Sequence, residues 1–163
     1  MNLRHLICAS VLFLVVGCAA QTAPRANSNT EIVVDRTLPK ATLPAWLYYG
    51  GSRALWMDKI FLERNPGAVA YRYSFEEEVA ARDGCARVWR DLKAKDGNSD
   101  RYLDDLAAVQ AAGFLREYTW AFFRDPGWSV PEGLRLAEFD QWRQLHLQNH
   151  RPETRVVVRF HQN

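Results

Sequence analysis

The sequence predicts a mainly α protein (α+β) of about four to five helices, with a small sheet that pairs an N-terminal strand with a C-terminal strand. Between residues 53 and 150, apolar side chains recur at helical spacing and typical capping residues stand at the ends of these stretches. Two short β-branched runs, residues 31–35 and 154–160, flank the helical region. A single strand needs a partner, so we expect these two runs to pair.

The first helix is expected over residues 53–64. Ser52 is a suitable N-cap, and the turn residues Asn65-Pro66-Gly67 end the apolar pattern. Trp46, Trp56 and Trp128 fall on no clear apolar stripe, so an exposed one among them is a candidate for stacking on a sugar or binding a protein partner.

The second helix is expected over residues 75–95, before Gly97. Ser74 and Glu77 have the spacing of a capping box, and Glu78 and Arg82, four residues apart, can support the helix weakly. Cys85 shares the apolar face of this helix, which predicts a buried and unreactive thiol.

A third helix is expected over residues 100–112, with Ser99 as its cap and Gly113 beyond its end. Asp104 is expected on the solvated face and Asp105 at its flank, and neither is expected to be catalytic. Residues 114–123 fit both a strand and a helix, and we favour a helix because Gly113 suits a helical hairpin.

The last helix is expected over residues 132–150, closed by Pro152. His146 and His150 lie four residues apart on one helix face, a spacing that can ligate zinc. A third ligand would come from Glu153 or His161, and the general base of a zinc protease motif is missing. Both histidines also share the side of Phe139 and Trp142, which favours hydrogen-bonded residues at the edge of the core. No cofactor is expected, and a metal at His146 and His150 stays an alternative.

The N-terminus has the order of an export signal: a basic start, an apolar run at residues 6–16 and a small-residue exit. The run is shorter than the roughly 20 residues that cross a bilayer as a helix. Val15-Val16-Gly17-Cys18 resembles the lipobox of bacterial lipoproteins. This resemblance implies an acylated Cys18 at the start of the mature chain, a signal peptide at residues 1–17 and an anchor in the membrane.

Ala19 follows the cysteine, whereas Asp at this place resembles an inner-membrane retention signal in bacteria with two membranes. The resemblance therefore implies an outer-membrane location facing the periplasm. Two alternatives remain: ordinary cleavage after Ala20, which would release the protein, and a retained signal anchor.

Composition limits what the remaining chain can be. Residues 18–30 are polar and aperiodic, typical of a flexible tether, and residues 31–163 are long enough for one domain. The 21 Lys and Arg nearly balance the 19 Asp and Glu, so nothing in the charge indicates a nucleic-acid partner. Cys8 leaves with the signal and Cys18 carries lipid, so Cys85 has no disulfide partner.

These observations predict a lipid-anchored envelope protein with a non-catalytic binding or structural domain. Its partner would be an unknown envelope protein or glycan. The alternative is a metal-dependent periplasmic enzyme that uses His146 and His150.

Overall fold

The structure, a computed structural model, describes residues 28–68, 71–147 and 156–162 of the 163 residues. The chain divides into two compact units, residues 30–160 and residues 1–29 with 161–163. Of the second unit, only the ends of two strands are described.

The described residues confirm the mainly α class. Two strands, β1 and β2, are hydrogen-bonded neighbours in a two-stranded sheet. In chain order the elements are β1 (Ser28–Val34), α1 (Leu43–Leu55), a π-helical turn (Trp56–Ile60), α2 (Phe61–Arg64), α3 (Phe75–Asp96), α4 (Arg101–Ala111), α5 (Leu115–Phe123), α6 (Leu136–His146) and β2 (Val156–Gln162). None of the described helices is both long enough and apolar enough to span a bilayer.

The first helix begins ten residues earlier than its sequence pattern predicts. Pro44 occupies its first turn, where the missing N–H of proline costs nothing, and Ser52 lies in its interior instead of capping it. Ala45, Trp46 and Tyr49 are buried against the core. Their burial stabilises helix across Gly50-Gly51, which local propensity alone would interrupt.

Only half of the expected capping box forms at the start of α3. Ser74 is the N-cap, and its hydroxyl accepts a hydrogen bond from the backbone N–H of Glu77 at 3.2 Å. The Glu77 carboxylate does not reach back, because it binds Tyr71 and Arg53 instead. At the other end, Gly97 adopts a φ of 66°, the left-handed conformation that ends a helix.

The region after α3 is the predicted helical hairpin, with one change of cap. Asp100, not Ser99, caps α4 by accepting from the N–H of Leu103 at 3.0 Å, while Ser99 binds the Asp104 carboxylate. Gly113 has a φ of 74° beyond the end of α4. Residues 115–123 are helix, which decides the ambiguous segment in favour of the helical interpretation.

The ends of the domain differ from the expected bounds by a few residues. Helix α6 begins at Leu136 instead of residue 132, because residues 132–133 form a turn in which Gly133 has a φ of 73°. The helix ends at His146 instead of residue 150, because Leu147 is extended, and residues 148–150 lie outside the described residues. Strand β1 begins at Ser28, inside the expected tether, and β2 runs two residues further than expected.

The core lies between α1, α3, α4, α5 and α6. Cys85 is fully buried within it, as predicted, and burial raises the pKa of its thiol to about 12. A thiol with that pKa stays protonated and unreactive near neutral pH. The largest fully buried side chains around it include Trp89, Leu103, Leu106, Tyr118 and Phe139.

Helices α1 and α3 pack closely at Gly84, where a Cβ would overlap the ring of Tyr48. We therefore expect Gly84→Ala to lower the free energy of unfolding by about 1 kcal/mol, because the displaced ring costs more than the gain in helix propensity. Denaturant titration measures this change. In a Tyr48→Ala background, Gly84→Ala should instead stabilise the fold, and the same sign in both backgrounds would contradict this packing.

Candidate functional site

A buried polar cluster on the inner side of α3 was not expected from the sequence. Its members, called here the Glu78 cluster, are Glu77, Glu78 and Arg82 with the side chains that bind them. All three charged residues are at most 2% exposed. Glu78 and Arg82 form the ion pair that their spacing predicts, but the pair is buried, so it is more than the weak helix support that spacing alone indicates.

A signal for this burial was present in the sequence. At 100° per residue, position 78 lies only about 20° from position 85, so Glu78 shares the apolar face of α3 with Cys85. Glutamate on an apolar face is rarely buried without a partner, and Arg82, one turn later, is that partner.

Glu78 is the centre of the cluster. The Tyr49 hydroxyl donates to its Oε1 at 2.7 Å, the Tyr73 hydroxyl donates to Oε2, and the Arg82 guanidinium pairs with Oε1. Arg53 Nε lies 3.8 Å from Oε2. Burial alone would raise the pKa of Glu78, but the attraction of Arg82 and Arg53 outweighs it and lowers the pKa.

Its neighbour Glu77 is shifted in the opposite direction. Glu77 accepts from the Tyr71 hydroxyl, and Arg53 Nε lies 3.3 Å from its Oε1. These partners offset only part of the cost of burying the carboxylate, so the pKa of Glu77 is raised. Two adjacent glutamates therefore carry opposite pKa shifts because only Glu78 is paired with Arg82.

Arg82 closes the cluster on the side of α4 and α5. Its guanidinium donates to the Tyr102 hydroxyl and lies 3.3 Å from the centre of the Phe123 ring. Burial raises the pKa of Tyr102 to about 12. Tyr102 thus stays protonated and Arg82 stays charged at neutral pH. The cluster joins α1, α3 and α4. Arg82 and Tyr102 do not change protonation state near neutral pH, so neither suits the role of a general acid or base.

The two glutamates give a matched test. Glu78→Gln should lower the free energy of unfolding by about 1.5–3 kcal/mol at pH 7. The lowered pKa of Glu78 stabilises the fold above pH 4.5, and this contribution disappears as the pH falls through the folded-state pKa. Denaturant titration across pH 3–7 should therefore show the variant and the wild type converging at low pH.

Glu77→Gln should have the opposite sign, because the folded protein binds a proton at Glu77 more tightly than the unfolded chain does. The penalty for ionising Glu77 grows as the pH rises from 4.5 through its folded-state pKa. Replacing Glu77 by neutral Gln should therefore stabilise the protein at pH 7 and change little below pH 4.5. If both variants destabilise equally at pH 7, the opposite shifts are refuted.

An open groove of about 510 Å³ lies beside the cluster, and we call it the Trp128 groove. Helix α1, the π-helical turn and α2 follow one another without a break and form the first helical stretch. The groove lies between the end of this stretch, the start of α3 and the loop before α6. Its lining residues are Trp56, Phe61, Arg64, Asn65, Arg72, Tyr73, Ser74, Phe75, Glu76, Gly127, Trp128, Ser129, Val130 and Pro131.

A π-helical turn shapes one wall of this groove. The N–H of Phe61 bonds to the carbonyl of Trp56, five residues back, so the first helical stretch widens where these two side chains line the groove. Such turns are rare and frequent at functional sites. The Arg64 guanidinium lies over the Trp56 ring at 4.5 Å.

The opposite wall is held by the Trp128 side chain. Its ring centre lies 5.1 Å from that of Tyr73 and 5.5 Å from that of Phe75. Arg72 Nη2 donates to the carbonyl of Gly127 at 2.9 Å, which ties the loop to the start of α3. Tyr73 also binds Glu78, so the Glu78 cluster fixes one face of the groove.

The predicted tryptophan candidates divide into two kinds. Trp46 is buried and stacks on Tyr102, with ring centres 5.1 Å apart, so it belongs to the core. Trp56 is 9% exposed and Trp128 is half-buried, and both line the groove. Sequence reasoning singled out these two without placing them together, because their side chains meet only through the tertiary fold.

A second cavity of about 430 Å³ includes Asp104, Asp105 and His146 in its lining. Asp104 accepts from Trp89 Nε1 and Lys93 Nζ, each at 2.8 Å. These hydrogen bonds outweigh partial burial and lower the pKa of Asp104. Asp105 is 7% exposed, so its expected place at the flank was wrong. Burial raises the pKa of the Tyr118 hydroxyl of α5 and the charge of Asp105 adds to this rise, so Asp105 lies towards the neighbouring helix instead of solvent.

Of the four candidate metal ligands, His146 is the one whose side-chain surroundings the structure describes. His146 is exposed, stacks on Trp142 with ring centres 4.9 Å apart, and its Nδ1 lies 2.8 Å from the Trp142 carbonyl. His150 and Glu153 lie outside the described residues, and His161 lies in β2. Within the described part of the chain, no group of three potential ligands is positioned to hold a metal ion.

Cys18 and the lipobox also lie outside the described residues. Comparison of the chain with protein-family models, curated proteins and solved structures finds no match.

Proposed function

We propose that this protein is a lipid-anchored lipoprotein of the cell envelope whose helical domain is a non-catalytic binding module. The anchor is acylated Cys18, the location is the outer membrane facing the periplasm, and the ligand site is the Trp128 groove. The lipobox residues Val15-Val16-Gly17-Cys18 support the anchor.

The observation that carries the binding function is the construction of the groove. Five aromatic side chains and several polar ones line an open space, and hydrogen bonds and ring contacts hold its walls. Trp56 and Phe75 are largely buried, whereas Phe61, Tyr73 and Trp128 are partly exposed. Surface pockets that combine aromatic faces with a few placed polar groups are typical binding sites. The aromatic lining consists of Trp56, Phe61, Tyr73, Phe75 and Trp128.

The charged groups around the groove favour binding over catalysis. Glu76, the carboxylate of its lining, is held by Arg116 Nη1 at 2.8 and 2.9 Å from its two oxygens. Both oxygens of this carboxylate already accept hydrogen bonds from the Arg116 guanidinium, so neither is free to act on a ligand in the groove. The groove therefore suits a ligand that is held and not transformed.

The anchor is tested by the intact mass and membrane partition of the expressed full chain, with Cys18→Ser as the control. We expect the wild-type mature protein to begin at Cys18, to carry acyl chains and to partition into the membrane. Cys18→Ser should lose both the added acyl mass and the membrane association. A soluble product that begins at Gln21 in both proteins would overturn the anchor.

The groove is tested separately with a photoreactive benzophenone amino acid in living cells. Val130, 74% exposed at the groove, is one position, and Leu145, 82% exposed and outside the groove lining, is its matched control. A defined adduct at position 130 that is absent at position 145 is expected. Equal labelling at both positions, or none at position 130, would refute the groove as the binding site.

A further inference from the structure

We infer that the ligand of the Trp128 groove is an anionic glycan, an oligosaccharide that carries carboxylate or phosphate groups. This inference rests on the proposed binding function and names the ligand class of that same site. Two independent features carry it: the flat aromatic surfaces of the groove, and an excess of positive charge along its rim.

The aromatic lining offers ring surfaces beside short hydrogen-bonding side chains. Trp128 is half-buried and Tyr73 is partly exposed, so neither ring is withdrawn into the core. Asn65 and Ser129 are exposed and lie in the same lining. Sugar rings present an apolar face of C–H groups and a rim of hydroxyls, which match an aromatic face and short polar side chains.

The charge of the lining is positive. Arg64 and Arg72 are exposed, and neither forms an ion pair with a carboxylate of the described residues. The negative charge of Glu76 is already matched by Arg116, which lies outside the lining. The positive charges of these two guanidinium groups are therefore not matched by a carboxylate of the described residues, although Arg72 donates one hydrogen bond to Gly127 and Arg64 packs on Trp56. Their remaining N–H groups can bind carboxylate and phosphate through charge-assisted hydrogen bonds.

The shape of the groove favours a glycan over a peptide or an acyl chain. The groove is open, and its polar lining residues are distributed among the aromatic ones. An acyl chain needs an enclosed apolar pocket, and an anchored peptide side chain needs a deep, desolvated one. An extended sugar chain needs neither, because it stacks along aromatic faces and keeps its hydroxyls hydrated.

The test is a titration of the purified full-chain protein with three probes of equal length, and tryptophan fluorescence reports binding. The probes are a galacturonic acid hexamer, the neutral galactose hexamer and a hexaglutamate peptide. We expect the galacturonic acid hexamer to bind at least about tenfold more tightly than either of the others, and more weakly as the salt concentration rises.

Arg64→Gln should weaken binding of the galacturonic acid hexamer about tenfold, and Arg90→Gln is the matched control. Arg90 is an exposed arginine on α3 outside the groove lining, so its removal should leave affinity unchanged. An unchanged thermal midpoint in both variants excludes unfolding as the cause of a loss.

The outcomes separate this inference from the proposed function. Hexaglutamate could bind as tightly as the galacturonic acid hexamer and lose as much affinity in Arg64→Gln. Binding would then depend only on the charge of the ligand, and the glycan assignment would be overturned. If none of the probes binds, the anionic-glycan inference is also overturned. In either case a defined adduct at position 130 keeps the binding function, and the loss of that adduct removes it.

Discussion

Arg82→Ala is expected to lower the free energy of unfolding by about 3–5 kcal/mol, because it leaves the buried carboxylate of Glu78 without its ion-pair partner. Arg82 is 2% exposed and also donates to the Tyr102 hydroxyl and packs on Phe123. Its removal therefore leaves a cavity and a buried carboxylate whose remaining cation, Arg53, lies 3.8 Å away. Chemical denaturation at pH 7 measures the change.

The same helix supplies the control. Asp83 and Arg87 have the same spacing as Glu78 and Arg82 and lie 2.7 Å apart, but the Arg87 side chain is 63% exposed. Arg87→Ala should change the free energy of unfolding by about 0.5 kcal/mol or less. Comparable losses in the free energy of unfolding for Arg82→Ala and Arg87→Ala would show that the Glu78–Arg82 ion pair is not buried.

A double variant separates the charge from the packing. Replacing Glu78 and Arg82 together by Met removes both charges and fills most of the space. Such a replacement of a buried pair by apolar residues is often close to neutral. The double variant should therefore be more stable than Arg82→Ala, and this recovery would assign the loss to the unpaired carboxylate.

Phe139→Ala is the second large expected effect, at about 3–5 kcal/mol. Phe139 is fully buried and is the buried residue of α6. Its ring centre lies 5.9 Å from that of Phe114 and 6.3 Å from that of Tyr118. Removing the ring leaves a cavity between α5 and α6 and takes away the ring contacts of α6 with Phe114, Tyr118 and Phe122.

Leu145→Ala is the control within the same helix. Leu145 is 82% exposed, so its truncation should change the free energy of unfolding by no more than about 0.5 kcal/mol. Because the loop before α6 lines the Trp128 groove, Phe139→Ala should also weaken ligand binding there. A Phe139→Ala protein as stable as Leu145→Ala would contradict the packing of α6 on the core.

Local sequence signals predicted the central helices well. Ser74 caps the start of α3, Gly97 ends it in a left-handed conformation, and Gly113 does the same beyond α4. These roles depend on only a few neighbouring residues, so the sequence predicts them. The burial of Cys85 followed from helical periodicity in the same way. The start of α1 was missed because burial of Trp46 and Tyr49 outweighs the local preference of Gly50-Gly51.

The candidate site was predicted far less well. The sequence singled out Trp56 and Trp128, which are 72 positions apart, but gave no reason to expect both in one groove. The spacing of Glu78 and Arg82 predicted weak support for the helix but did not predict burial, because weak helix-stabilising pairs and buried ion pairs share the same spacing. Tyr49, Tyr73 and Tyr102, which mark the pair as buried, come from three different segments.

The sequence by itself determined the helical class and the helix ends at Ser74, Gly97 and Gly113, because periodicity and capping act between residues close in the chain. Only the tertiary structure decided which charges are buried and which aromatic side chains share a groove. Burial and side-chain clustering depend on the docking of segments far apart in the chain. No local pattern around Glu78 or Trp128 contains that information.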